Sequence, residues 1–149
     1  MPHSYTQLLY HIIYSTKGRQ PWLKGKASRV HAYLGGGIRY EGGVALCIGG
    51  VGDHVHLLAR LRQDKAVSAV IGAIKANSSG WIHREFPDLT DFEWQTGYAA
   101  FTVSKSQEAR LRRYIETQEA HHRQQTFQDE FIALLNAHDI EYDLRYLWA

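Results

Sequence analysis

Two histidines separated by one apolar residue, His54-Val55-His56, follow the glycine-rich stretch Gly49-Gly50-Val51-Gly52-Asp53 and lead into Leu57-Leu58. In an extended strand side chains alternate, so both imidazoles project to one face, roughly 7 Å apart along the chain, while Val55 and Leu57 take the other. Two imidazoles so placed can grip one cation. Alone, the pattern is weak, since any β-rich protein can carry it on a plain surface strand. Further on, Leu111-Arg112-Arg113-Tyr114-Ile115-Glu116-Thr117-Gln118 has helical spacing that stacks Tyr114 and Gln118, four apart, on one face bordered by Leu111 and Ile115. A phenol is a nucleophile and a carboxamide an oxygen donor, although a half-buried core tyrosine and a boundary glutamine are the bland readings of the same residues. Asp53 either orients a histidine or only serves the turn. His11 is either a contact to DNA or to a ligand histidine, or a packed strand residue. His121 and His122 either approach the cation or a phosphate, or cap the helix end in solvent.

The surrounding pattern supplies elements to hold these groups. Thr6 to Ser15 reads as a strand and Lys26 to Ile38 as a helix, with Gly35-Gly36-Gly37 closing or distorting its end. Gly43 to Gly52 and Asp53 to Leu61 read as a hairpin, which puts the histidine pair on a strand just after a tight turn. A helix over Ala66 to Phe86, with Ser78-Ser79-Gly80 as a break point, is ended by Pro87. Phe92 to Val103 reads as a fourth strand, followed by a capping box at Ser104 and Gln107 and a helix from about Gln107 to Arg123. Thr126 then caps a helix with Phe127, Phe131, Leu134, Leu135 and His138 along one stripe. The order β-α-β-β-α-β predicts an α+β fold of ferredoxin-like or RNA-recognition type: a split βαβ antiparallel sheet with helices on one face, plus C-terminal helices. Its first and third strands are central neighbours, so His54 and His56 should lie mid-sheet near His11.

The 149 residues, 44% hydrophobic and 21% charged, are expected to form one domain over 1–149 with a real core. No apolar run approaches the roughly 20 residues that span a bilayer, and the first residues carry no leader pattern, so a cytoplasmic protein without a membrane partner is expected. Cys47, the sole cysteine, excludes a thiolate zinc site or disulfide framework and reads as inert core. The net charge of +2 is too small for a duplex-coating protein. Local clusters matter more: Lys17, Arg19, Lys24, Lys26 and Arg29 in one stretch, and Arg110, Arg112 and Arg113 in another, can each neutralise phosphates or simply be solvated. Lys17, Arg19, Lys75, Arg112 and Arg113 are the candidate nucleic-acid contacts.

Taken together, five blocks resemble a known family in its own order. They are Thr6-Gln7-Leu8-Leu9-Tyr10-His11-Ile12-Ile13 with Ser15-Thr16-Lys17, Gly49 through Leu58, Ile74-Lys75-Ala76-Asn77-Ser78-Ser79-Gly80-Trp81-Ile82, Trp94 through Ser104, and Tyr114 through His122. The chain is similar over essentially its whole length to the small single-tyrosine transposases of the HUH nuclease superfamily, REP-associated tyrosine transposases included, which act on single-stranded DNA. The resemblance implies that Tyr114 is the nucleophile and that His54, His56 and Gln118 are metal ligands. It further implies single-stranded DNA with a hairpin as substrate, and a homodimer in which the tyrosine helix of one subunit can serve the histidines of the other. Two imidazoles and an amide leave positions open for phosphate oxygens. Such mixed ligation suits Mn2+ better, although cellular abundance favours Mg2+. Two other readings stand beside this one: a host-adopted nickase that processes palindromic repeats, and a non-catalytic RNA-recognition-type module. For the latter, Gly97-Tyr98-Ala99-Ala100-Phe101-Thr102-Val103 has a spacing off by one residue and no Lys or Arg before Gly97.

Overall fold

Large apolar side chains near the N-terminus form β1 (Leu9–Ser15), the centre of a four-stranded antiparallel sheet in a computed structural model that describes residues 4–122 and 125–149. The other strands are β2 (Val44–Val51), β3 (His54–Arg60) and β4 (Ala99–Val103), in the order β2-β3-β1-β4. With α1 (Ala27–Tyr40) between β1 and β2, and α2 (Val67–Glu85) between β3 and β4, this is the ferredoxin-like arrangement that the element order predicts. Opposite His54 and His56 on β1 stand Ser15 and Ile13.

The two faces of the sheet carry different cores. Ile12, Tyr14, Val55, Leu57 and Ala59 pack against Val30, Leu34 and Ile38 of α1 and Val70, Ile71, Ile74 and Ile82 of α2. On the opposite face Ile13, Ala99 and Phe101 meet Phe127, Phe131 and Leu135 of α5 (Phe127–Ala137). Thr126 caps α5 as its position predicts, its side chain accepting from the Asp129 amide at 3.2 Å. Between β4 and α5 lie a 3-10 turn (Lys105–Gln107), α3 (Glu108–Glu116) and the single turn α4 (Gln118–His121). No helix among the described residues is long and apolar enough to cross a membrane.

Five local expectations need correction. Gly35, Gly36 and Gly37 do not end α1, which continues to Tyr40 because Leu34 and Ile38 on either side of them are fully buried. That burial outweighs a helix-propensity cost of roughly 1 kcal/mol per glycine. Likewise Ser78-Ser79-Gly80 do not break α2. The fourth strand is only Ala99–Val103; its expected first half is a loop tied down elsewhere, with Gln95 Oε1 accepting from the Ser15 amide at 2.8 Å and the Trp94 indole donating to Ser78 Oγ at 2.9 Å. The Ser104/Gln107 box does not form through side chains, since Ser104 Oγ instead lies 3.1 Å from Ser106 Oγ. Cys47 is half-buried rather than core, beside a bulge in β2. Burial pushes its thiol up, so it stays protonated and unreactive.

Candidate active site

β3 delivers both imidazoles to the α5 face, fully buried, because Val55 and Leu57 claim the other face for the larger core. His54 is oriented by Asp53: its Nδ1 lies 2.8 Å from Asp53 Oδ1, and its ring stacks on Phe127 at 4.4 Å between centroids. His56 has two polar neighbours, His11 Nε2 at 2.8 Å from its Nδ1 and Glu130 Oε1 at 3.1 Å from its Nε2. Burial pulls His56 down to about 4 and His11 to about 3, the latter also through its neighbour His56, so both rings are neutral near pH 7.

The tyrosine helix reaches this face through a glycine. A Cβ on Gly49 of β2 would lie 2.3 Å from the Ile115 carbonyl oxygen, so α3 sits closer to β2 than any other residue there allows. Arg112 pins the same contact from the helix side, donating from Nη1 to the Leu46 carbonyl at 2.8 Å. The helix expected to run through to Arg123 is interrupted at Thr117, whose hydroxyl donates back to the carbonyls of Arg113 at 2.9 Å and Tyr114 at 3.2 Å. Tyr114 and Gln118 still face the same site from either side of that break. The Tyr114 ring packs edge-on against His56 of the same chain at 5.8 Å, and its hydroxyl donates to Glu130 Oε2. Gln118, almost fully buried, places Oε1 at 3.0 Å from His54 Nε2 and donates from Nε2 to Glu130 Oε2 at 3.2 Å. Gly49→Ala should therefore push α3 back by about 1 Å, with an expected loss on the order of 100-fold in any chemistry that uses Tyr114. Single-turnover rates on a DNA substrate would check this, an unchanged rate meaning that α3 tolerates the shift.

Two groups beyond the expected set complete the cluster. Glu130 of α5 is 2% exposed, and its Oε1 lies 3.1 Å from His56 Nε2, 3.2 Å from His122 Nε2 and 3.6 Å from His54 Nε2. His122, far from being a solvent cap, also brings Nε2 within 3.0 Å of Gln118 Oε1. Glu130 left a signal in the sequence: it stands three residues after Phe127 and four before Leu134, on the apolar stripe of an amphipathic helix, where a carboxylate needs partners. Burial favours its neutral acid, but hydrogen bonds from His122, His56 and Tyr114 outweigh this and hold the carboxyl well below the usual carboxylate range. Burial, reinforced by Glu130, pushes the Tyr114 phenol above its ordinary value. His122 moves up from its ordinary value because Glu130 and Asp53 outweigh its burial.

A divalent cation fits this donor set. The donor atoms of His54, His122 and Glu130 lie within 4.8 Å of one another. Separations of 3.0 to 3.6 Å among His54, Gln118, His122 and Glu130 are close to the edges, about 3 Å, of a coordination shell with bonds near 2.1 Å. With its Nδ1 directed at Asp53, His54 turns its Nε2 toward the Gln118 oxygen, itself an acceptor. A cation satisfies both, and a carboxylate bonded to the far nitrogen of a ligand histidine is the usual support for one.

The predicted basic contacts are spread around this centre. Lys17 pairs with Glu93 at 3.2 Å, and the Arg19 guanidinium lies over the Trp148 ring. Arg112 bonds Leu46 and Glu108, whereas Arg113 is exposed. Lys75 donates to the carbonyls of Gln95, Thr96 and Gly97 at 2.6 to 3.2 Å, clamping the loop before β4, and burial lowers its ammonium to about 8. Beside Tyr114 opens a groove of about 430 Å3 lined by His11, Phe101, Arg110, Leu111, Tyr114 and His138, among others.

Known proteins are similar to this chain in sequence and fold. The family model described as IS200-like transposase matches residues 4–118. The ISDra2 transposase TnpA of Deinococcus radiodurans is 28% identical over 118 residues, which cover 75% of this chain and 84% of the relative. The crystal structure of a transposase candidate from Deinococcus radiodurans R1 superposes with a TM-score of 0.65 at 26% identity, covering 78% of this chain and 94% of that one. A REP-associated tyrosine transposase, solved bound to a REP hairpin, shares the fold with a TM-score of 0.60 at 15% identity, over 80% of this chain and 72% of its own. The match of the family model over most of the chain, including the histidine strand and the tyrosine helix, places this protein in the IS200-like transposase family.

Proposed function

We propose that this transposase cleaves and rejoins single-stranded DNA at hairpin-bearing ends of its element through a 5′-phosphotyrosine intermediate, in the cytoplasm and as one domain over 1–149. Tyr114 is the nucleophile, and His54, His56 and Gln118 bind a divalent ion, Mg2+ or Mn2+. The observation that carries this reading is the convergence of a phenol, two buried imidazoles and a buried carboxamide on one point of the sheet face. In the reaction the Tyr114 oxygen bonds phosphorus as the P–O3′ bond breaks. The phenolic proton leaves along its hydrogen bond to Glu130, and the departing 3′ oxygen takes a proton from water. Because the phenol is held above its ordinary pKa, it is intact at neutral pH and loses its proton during attack rather than before it. A bound divalent ion supplies polarisation of the phosphate and stabilisation of the leaving oxygen. The phosphotyrosyl bond conserves the energy of the phosphodiester, so rejoining needs no ATP.

Hairpin DNA as partner is supported by the REP hairpin bound to the REP-associated relative. One tyrosine holds one 5′ end, so exchange of two ends calls for two chains. The groove beside Tyr114, with Arg110 at its wall, suits a nucleotide flanking the cleaved phosphate, and exposed Lys17 and Arg113 are placed to meet the backbone. The test is a denaturing gel of the protein incubated with labelled single-stranded hairpin DNA from its own locus, with and without Mn2+ or Mg2+. A metal-dependent covalent adduct is the expected result. Binding without any adduct overturns the reading in favour of a non-catalytic binding module.

A further inference from the structure

The matched region ends at Gln118, yet the site does not. Further along the chain, α5 returns a carboxylate, Glu130, into the middle of the cluster, where it is 2% exposed and touches Tyr114, His54, His56, Gln118 and His122. Its two oxygens face different ways. Oε1 is directed at the imidazole nitrogens of His54, His56 and His122, and Oε2 accepts from the Tyr114 hydroxyl and the Gln118 amide. An anion in the interior of a protein is costly unless such partners hold it, and this one displaces what would otherwise be an apolar contact on the stripe of α5. We propose that Glu130 is the anionic ligand of the metal site, with Oε1 toward the ion and Oε2 toward the Tyr114 phenol, so that one carboxylate fixes the nucleophile's position relative to the metal. The inference rests on the reading of Tyr114 and the histidine strand as the catalytic site.

Three consequences separate this role from simple packing. Imidazoles and an amide supply no anionic ligand, and adding one carboxylate should tighten a hard divalent ion well beyond what geometry alone provides. The ligand arrives from an element that packs on the sheet through a small cluster centred on Phe127, Phe131 and Leu135, so ion binding should steady α5 along with β3. The separation of the two oxygens also means that loss of the charge should loosen Tyr114 as well as the ion.

The experiment is calorimetric titration of Mn2+ into the full chain, comparing wild type with Glu130→Gln, Glu130→Asp and His54→Ala, each first checked by thermal melting. Glu130→Gln keeps the shape and should weaken Mn2+ binding by about 30-fold or more, with Glu130→Asp recovering part of it. If His54→Ala loses the ion while Glu130→Gln binds it as wild type does, Glu130 is no ligand and the inference fails while the active-site reading stands. If His54→Ala also binds as wild type, or wild type binds no ion, the histidine site itself is wrong and both fail. Should Glu130→Gln not fold, hydrogen exchange on wild type decides. Mn2+ should slow exchange in α5 as well as in β3, and protection of β3 alone overturns the proposal.

Discussion

Replacing Tyr114 by phenylalanine is expected to abolish the covalent protein–DNA adduct, with cleavage falling by roughly 10^4-fold or more, while hairpin binding stays within about twofold. The substitution removes one oxygen and leaves the ring, so the edge-on contact with His56 is kept. What is lost is the only atom that can bond phosphorus from this position, and nucleophile deletions in enzymes of covalent mechanism are of this size. The change should cost the fold little. Glu130 loses one donor but retains His56, His122 and Gln118. Adduct gels and filter binding on the same preparation check both halves, and cleavage surviving in Tyr114→Phe would move the nucleophile elsewhere.

His56→Ala should be nearly as damaging to chemistry and more damaging to stability. The ring is fully buried between His11, stacked at 5.0 Å, and Tyr114. Its removal strips the proposed ion of a ligand and leaves the His11 nitrogen and a buried carboxylate each short of a partner. Such unpaired buried groups cost about 1–3 kcal/mol each, with a cavity cost added. A drop of about 3 kcal/mol in unfolding free energy is expected, together with a loss of cleavage on the order of 10^3-fold that added metal does not restore. Denaturant melts and single-turnover cleavage over a range of Mn2+ concentrations measure these. Full activity at high metal would reduce His56 to a packing role.

Much of this was readable from residue order, for reasons that can be named. Period-two alternation across His54 to Leu58 has only one consistent face assignment once Val55 and Leu57 are buried, so the two histidines and their neighbour His11 were placed correctly on adjacent central strands. The spacing of Tyr114 and Gln118 likewise put both on one side of the helix. The interruption at Thr117 was invisible because it depends on a hydroxyl bonding back to carbonyls that an uninterrupted helix would also offer. The truncated β4 was missed because residues 94–98 alternate well enough for a strand but are drawn off by contacts far away in sequence, above all Lys75 on three of their carbonyls or those next to them. Glu130 is hard to read from sequence for a different reason. A glutamate in an amphipathic helix is ordinarily assigned to the wet side, and only its register with Phe127 and Leu134 argues otherwise. For His122 the sequence leaves cation and solvent both open, because a helix end is usually solvated and what encloses it is a later element.

The sheet divides its labour by face. The larger core, with α1 and α2, lies behind the strands, and everything that could do chemistry lies in front under the smaller cluster of α5. Damage to one is therefore not damage to the other. A copy of this gene that drifts after losing the Tyr114 hydroxyl still encodes a chain whose principal core is intact, and proteolytic quality control has little to recognise in it. Such inactive descendants would persist in a genome as folded proteins with the surfaces proposed to meet nucleic acid unchanged, able to compete with the active protein for whatever those surfaces bind. Selection can then retain them for that competition alone.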